Sequence, residues 1–88
     1  MRIQRLLRKL AESGRVWIDW EQKALVLLDD EGIYSFRLQT NDPELLFKFK
    51  TSVEEITGER LPSSLGELRQ LLADLIAQSF GSLPHAPR

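Results

Sequence analysis

Two short polar segments divide residues 15–38 into three apolar stretches. The connections between these stretches are so short that antiparallel pairing is the only simple arrangement. The first segment is Glu21-Gln22-Lys23, and the second is Asp29-Asp30-Glu31-Gly32. The stretches that they separate span residues 15–20, 24–28 and 33–38. A parallel crossover needs about a dozen residues or more, so connections of this length join antiparallel neighbours. The sequence therefore predicts a three-stranded meander, in which Gly32 can supply a positive φ.

Three other segments repeat apolar residues at the helical period. They span residues 2–13, 41–57 and 64–80. Asp42 before Pro43, and Ser64 with Glu67, are typical of helix N-termini, and a glycine follows each segment. Residues 47–50 alternate as a strand would, but they continue a helical apolar stripe. The predicted fold is α+β, in the order α-β-β-β-α-α, with three helices packed on a three-stranded antiparallel meander.

The length of 88 residues is that of one domain. We expect a single globular domain over residues 1–81 and a mobile tail over residues 82–88, which contain two prolines and no periodic pattern. The sequence has no cysteine and no apparent signal peptide, so we expect a cytoplasmic (intracellular) location. The longest purely apolar run, Ala24–Leu28, is far shorter than the roughly 20 residues of a membrane span, so we expect no membrane partner.

Few residues of this chain have the chemistry of a catalytic group. The only histidine, His85, lies in the tail, and no cysteine can act as a nucleophile. The glycines are isolated, so none of them builds a phosphate-binding loop. Residues 29–31 are three adjacent acids, but they lack the alternating oxygen ligands of a calcium loop, which favours a solvated turn. The sequence predicts a chain that is not an enzyme, with no catalytic residue, no metal site and no cofactor.

The second strand is apolar on both faces, whereas an antiparallel sheet with one face in water should alternate. In the simpler arrangement, the first helix covers one face and the other two helices cover the opposite face. In the other arrangement, all three helices share a face, and an apolar patch remains for a second subunit or another protein. Phe47 lies outside the apolar stripe of its helix, where it could pack on a loop or act as an aromatic anchor. The candidate interface residues are Trp17, Leu25, Leu27, Ile33 and Phe47.

The first fifteen residues carry the opposite charge to the rest of the chain. Five basic side chains stand against one acid there, a net charge of +4, while the other seven basic and twelve acidic side chains give −5 and the whole chain −1. The basic residues are Arg2, Arg5, Arg8, Lys9 and Arg15. They could bind the phosphates of a nucleic acid, or they could be solvated or paired with acids such as Glu54, Glu55 and Glu59.

Two functions remain open. The first is a small non-enzymatic protein-interaction module that self-associates, for example as a homodimer, or docks on a larger partner. The alternative is a nucleic-acid-binding protein that uses the basic N-terminal helix, although the sequence pI is only about 5.8. The order α-β-β-β-α resembles that of double-stranded-RNA-binding domains, but Ser64-Leu65-Gly66-Glu67 is acidic where those domains carry a basic cluster. The resemblance is therefore one of element order.

Overall fold

The computed structural model of the chain describes residues 3–79 and 81–85. Its elements in chain order are α1 (Ile3–Ser13), β1 (Val16–Asp19), β2 (Ala24–Asp29), β3 (Gly32–Arg37), α2 (Pro43–Thr57) and α3 (Leu65–Gln78). The predicted α+β fold is confirmed, with an antiparallel β1-β2-β3 sheet and the order α-β-β-β-α-α. The predicted ends of two helices, Arg2 and Phe80, lie outside the described residues.

A side chain closes the tight turn between β2 and β3. The Oδ1 atom of Asp29 accepts the backbone N–H groups of Glu31 and Gly32, at 2.8 and 3.2 Å. Gly32 adopts a φ of 143°, which a residue with a side chain rarely does. The turn predicted from the sequence is therefore present, and it fixes the residue at which β3 begins.

The ends of α2 and α3 follow the predicted capping pattern. The side chain of Asp42 accepts the N–H group of Glu44 at 3.0 Å, and Ser64 accepts that of Glu67 at 3.4 Å. Gly58 ends α2 in the left-handed conformation, with a φ of 73°. Each cap satisfies a backbone group that the helix itself leaves without a partner. These local signals explain why α2 remains helical through the alternating residues 47–50.

All three helices pack on one face of the sheet. The residues of the sheet in this core are Val16, Ile18, Leu25, Leu27 and Phe36. The rings of Phe36 on β3 and Phe49 on α2 meet edge to face, with 5.7 Å between their centroids. The arrangement with helices on both faces is wrong, because each helix also packs against the other two. On the opposite face of the sheet, Ile33 is 72% exposed.

Residues 82–85, part of the segment that the sequence assigns to a tail, run beside β1. The N–H group of Ile18 donates to the carbonyl of Pro84 at 2.9 Å, and Nδ1 of His85 lies 3.0 Å from the carbonyl oxygen of Ile18. Leu83 is buried and joins the core. The chain therefore covers the outer edge of β1 at Ile18. Residues 86–88 lie outside the described residues.

We predict that the interior of α3 contributes more to stability than its cap does. Leu72 is 1% exposed, so Leu72→Ala should lower the free energy of unfolding by about 2–5 kcal/mol through lost burial and a residual cavity. Ser64→Ala removes only the capping hydrogen bond and should cost about 0.5–2 kcal/mol. Urea denaturation measures both values. A cap variant less stable than the leucine variant would contradict this account of α3.

Candidate functional site

The face of the sheet that is turned away from the helices carries an apolar patch. We call it the outer sheet face, and its residues are Trp17, Val26, Leu28, Ile33 and Ser35. Trp17 lies opposite Val26, and both are half-buried, while Leu28 lies opposite Ile33 and both are exposed. Trp17 and Ile33, two of the predicted interface residues, therefore share one surface. Among the described residues, Ile33 is the most exposed large apolar side chain on it.

Leu25 and Leu27 do not belong to this surface, and their assignment to the interface is wrong. Both side chains are fully buried in the core. Side chains alternate between the two faces of a strand, and Leu25 lies opposite Ile18 on the helix side of the sheet. Val26 and Leu28, which sequence reasoning missed, occupy the outer face instead. The apolar composition of the whole strand gives no signal for which set of residues points inward.

Phe47 lies on a separate surface. It is two residues from Phe49, which corresponds to about 200° around a helix, and Phe49 points into the core. Phe47 is 44% exposed, and its carbonyl accepts the hydroxyl of Thr51 at 2.6 Å. Because α2 packs on the opposite side of the sheet from Ile33, the fold does not bring Phe47 and the outer sheet face together.

An internal acid occupies part of the basic face of α1. Glu59, just after α2, accepts Arg5 at 2.7 Å and Lys9 at 2.9 Å through the same oxygen. Lys9 also donates to the carbonyl of Thr57 at 3.2 Å. The hydrogen bond from Lys9, together with the nearby charge of Arg5, lowers the pKa of the Glu59 carboxyl from its ordinary value. Two of the predicted polyanion-binding residues therefore already hold α1 against the end of α2.

Two of the remaining basic residues, Arg8 and Arg15, lie within the described part of the chain. The Nε atom of Arg15 donates to the carbonyl of Leu28 at 2.9 Å, beside the outer sheet face. Arg8 is exposed on α1. Arg2 lies outside the described residues. Of the described basic residues, Arg5 and Lys9 therefore share Glu59, Arg8 is exposed, and Arg15 bonds to the backbone of β2.

The acidic turn between β2 and β3 binds a lysine of the same chain. The Oδ2 atom of Asp29 lies 2.6 Å from Nζ of Lys48 and accepts Ser52 at 3.4 Å. Nζ of Lys48 also lies 4.8 Å from the centroid of the Tyr34 ring. The hydrogen bond between Asp29 and Lys48 lowers the pKa of the Asp29 carboxyl and raises the pKa of the Lys48 ammonium. Within residues 3–79 and 81–85, no group of three potential ligands is arranged to hold a metal ion.

Comparisons give this surface no precedent. The chain matches no family model, no curated protein and no solved structure. In the part of the chain that the structure describes, no helix has both the length and the apolar character needed to cross a bilayer. The assignment of the candidate site therefore rests on the exposure and the apolar composition of the outer sheet face.

We predict that Glu59 makes stability depend on pH in the acid range. Its pKa is lowered in the folded chain, so its contribution is complete above about pH 4.3, the ordinary value for glutamate, and is lost as the pH falls through the folded pKa. The midpoint of thermal unfolding should fall less on acidification in Glu59→Gln than in the wild-type chain. Glu55→Gln, at an exposed position on α2, is the matched control and should keep the wild-type dependence. Equal acid dependence in the two variants would contradict this role of Glu59.

Proposed function

We propose that this chain is a small, non-enzymatic protein-interaction module that self-associates, or docks on a larger partner, through the outer sheet face. The observation that carries the proposal is the exposed pair Leu28 and Ile33, which lie directly opposite each other on neighbouring strands. Half-buried Trp17 and Val26 continue the same apolar surface. Large contiguous apolar patches are rare on monomers and mark interaction surfaces.

The position of the patch supports this function over a structural role within the chain. The helices pack on the opposite face of the sheet, so they do not shield Ile33 or Leu28 from water. Tryptophan is among the side chains most enriched where binding energy is concentrated, and Trp17 borders the exposed pair. Removing these side chains from water on association would supply a favourable hydrophobic contribution.

Nucleic-acid binding through α1 is the weaker alternative. Glu59 neutralises part of the charge of Arg5 and Lys9, although the Arg5 side chain remains 59% exposed beside Arg8. A nucleic acid would therefore have to compete with an acid that lies in contact with both side chains. The net charge of the chain, −1, provides no general attraction for a polyanion.

We predict that Ile33→Ser weakens self-association while the chain stays folded. Burial of an isoleucine side chain contributes roughly 1.5–3 kcal/mol, so the dissociation constant should rise about tenfold or more. Light scattering after size exclusion, over a wide range of protein concentration, measures the change. Phe47→Ser is the matched control, because Phe47 is an exposed apolar residue on another surface. Wild-type chain that stays monomeric at every concentration, or equal effects of the two variants, would contradict self-association through this face.

We further predict that the wild-type chain does not bind a short DNA duplex, even at low salt. Binding through Arg2, Arg5, Arg8 and Lys9 would neutralise about four phosphates, so the logarithm of the binding constant would fall with that of salt with a slope near −3.6. Fluorescence anisotropy of a labelled duplex at several salt concentrations tests this directly. A measured slope near that value, reduced by nearly two units in Arg5→Gln with Lys9→Gln, would favour the nucleic-acid alternative.

A further inference from the structure

The two edges of the sheet differ in how they are covered. At the β1 edge, Pro84 and His85 bond to both backbone groups of Ile18. At the β3 edge, no strand of the described residues other than β2 pairs with Gly32–Arg37. β3 contains neither a proline nor a lysine, the residues with which many proteins protect an edge from further pairing.

The register shows which backbone groups β3 presents at this edge. Antiparallel strands alternate between residues that bond to one neighbour and residues that bond to the other. The N–H group of Leu28 donates to the carbonyl of Arg15 at 2.8 Å, so the even residues of β2 bond towards β1 and the odd residues bond towards β3. Leu27 therefore bonds to its partner Tyr34. On β3 the even residues face β2, and the odd residues face away from the sheet.

Three residues of β3 direct their backbone groups away from the sheet, and one of the three already has hydrogen-bond partners for these groups. The N–H group of Arg37 donates to Oγ1 of Thr40 at 2.9 Å, and its carbonyl accepts the N–H group of Thr40 at 3.0 Å. Ile33 and Ser35 have no such bonds among the described residues. The open edge thus presents the backbone N–H and C=O groups of Ile33 and Ser35. These two residues flank Tyr34.

We propose that a second copy of this chain pairs antiparallel with β3 around a two-fold axis at Tyr34. Ile33 then lies opposite Ser35 of the second copy, and Ser35 opposite Ile33 of the second copy. The two strands join the two sheets into one sheet of six strands. This inference rests on the proposed function and names the partner as the chain itself.

Hydrogen bonding favours this register over its neighbours. Pairing Ile33 with Ser35 uses every open backbone group of both residues. An axis at Ser35 would place Ile33 against Arg37, whose groups are taken by Thr40. An axis at Ile33 would place Ser35 against Glu31, whose N–H group is already bound to the side chain of Asp29. The axis at Tyr34 leaves none of these donors without an acceptor.

The charges beside the edge are complementary in the same register. Glu31, in the turn just before β3, and Arg37, the last residue of β3, each lie three residues from Tyr34, so the axis brings Glu31 of each copy beside Arg37 of the other. The Glu31 side chain is exposed, and its Oε2 accepts the hydroxyl of Tyr34 at 3.1 Å and lies 3.6 Å from Nζ of Lys48. Arg37 donates to the neutral amide oxygen of Gln22 at 2.7 Å and pairs with no carboxylate among the described residues. Opposite charges directly across an antiparallel pair are favourable, and like charges are unfavourable.

The same pairing places the outer sheet faces of the two copies side by side. Ile33 projects from the outer sheet face, next to the edge that forms the axis. The patch of Leu28 and Ile33 on one copy would lie beside the corresponding patch of the other. The dimer would therefore present one apolar surface of twice the width, while Trp17 on the far strand stays outside the contact between the copies.

A charge-exchange cycle in the full chain tests the register. Glu31→Arg and Arg37→Glu each place like charges opposite one another at two symmetric positions, and each should raise the dimer dissociation constant roughly tenfold. The double variant restores opposite charges and should return the constant to within about threefold of the wild-type value. Sedimentation equilibrium measures the constants, and thermal unfolding verifies that each variant is folded. Additive losses in the double variant would overturn the proposal.

Two further variants separate this inference from the proposed function. Ser35→Pro removes an N–H group that points away from the sheet, a position at which an edge strand tolerates proline, and it should abolish the dimer. Trp17→Ala distinguishes the two surfaces: pairing at the edge leaves the dimer intact, because Trp17 is on the strand farthest from the axis, whereas contact through the outer sheet face weakens the dimer. A dimer that is lost in Ile33→Ser and Trp17→Ala, but not in Ser35→Pro or the single charge variants, would overturn edge pairing and retain the outer sheet face. A chain that never self-associates would overturn both edge pairing and the self-associating form of the proposed function.

Discussion

The burial of one face of β2 beneath all three helices is the constraint on which the rest of this structure depends. Leu25 and Leu27 lie in the middle of the core, with no exposed surface. Because side chains alternate along a strand, the apolar Val26 and Leu28 must then lie on the outer face. A shift of the register by one residue would exchange the two sets. The candidate interaction surface is thus a direct geometric consequence of how the core is packed.

Ion pairs link α1 to the segment after α2, and they link α2 to the sheet. Glu59 connects the segment after α2 to Arg5 and Lys9 of α1. Lys48 of α2 connects to Asp29 at the end of β2. Through Glu59, an acid from the negatively charged part of the chain contacts two residues of the basic N-terminal segment. None of these ion pairs involves a residue of the outer sheet face, which carries Ile33.

Local signals in the sequence were sufficient for the order of the elements but not for the facing of β2. Asp42 and Ser64 identify the starts of α2 and α3, because capping depends only on neighbouring residues. Which leucines of β2 point inward depends on packing between distant elements, and residues 24–28, all of them apolar, carry no pattern that reveals it. Trp17 and Ile33 could be predicted as surface residues, whereas the bonds from residues 84 and 85 to β1 have no sequence signal.

Amide hydrogen exchange along β3, followed by NMR at low and high protein concentration, tests the central claim most directly. In dilute solution, the amides of Tyr34 and Phe36 should be protected by their bonds to β2, while those of Ile33 and Ser35 should exchange rapidly. At high concentration, Ile33 and Ser35 should become protected as the second copy pairs with the edge. Protection of Ile33 and Ser35 equal to that of Tyr34 at every dilution, or rapid exchange at every concentration, would contradict an open edge that binds a second copy.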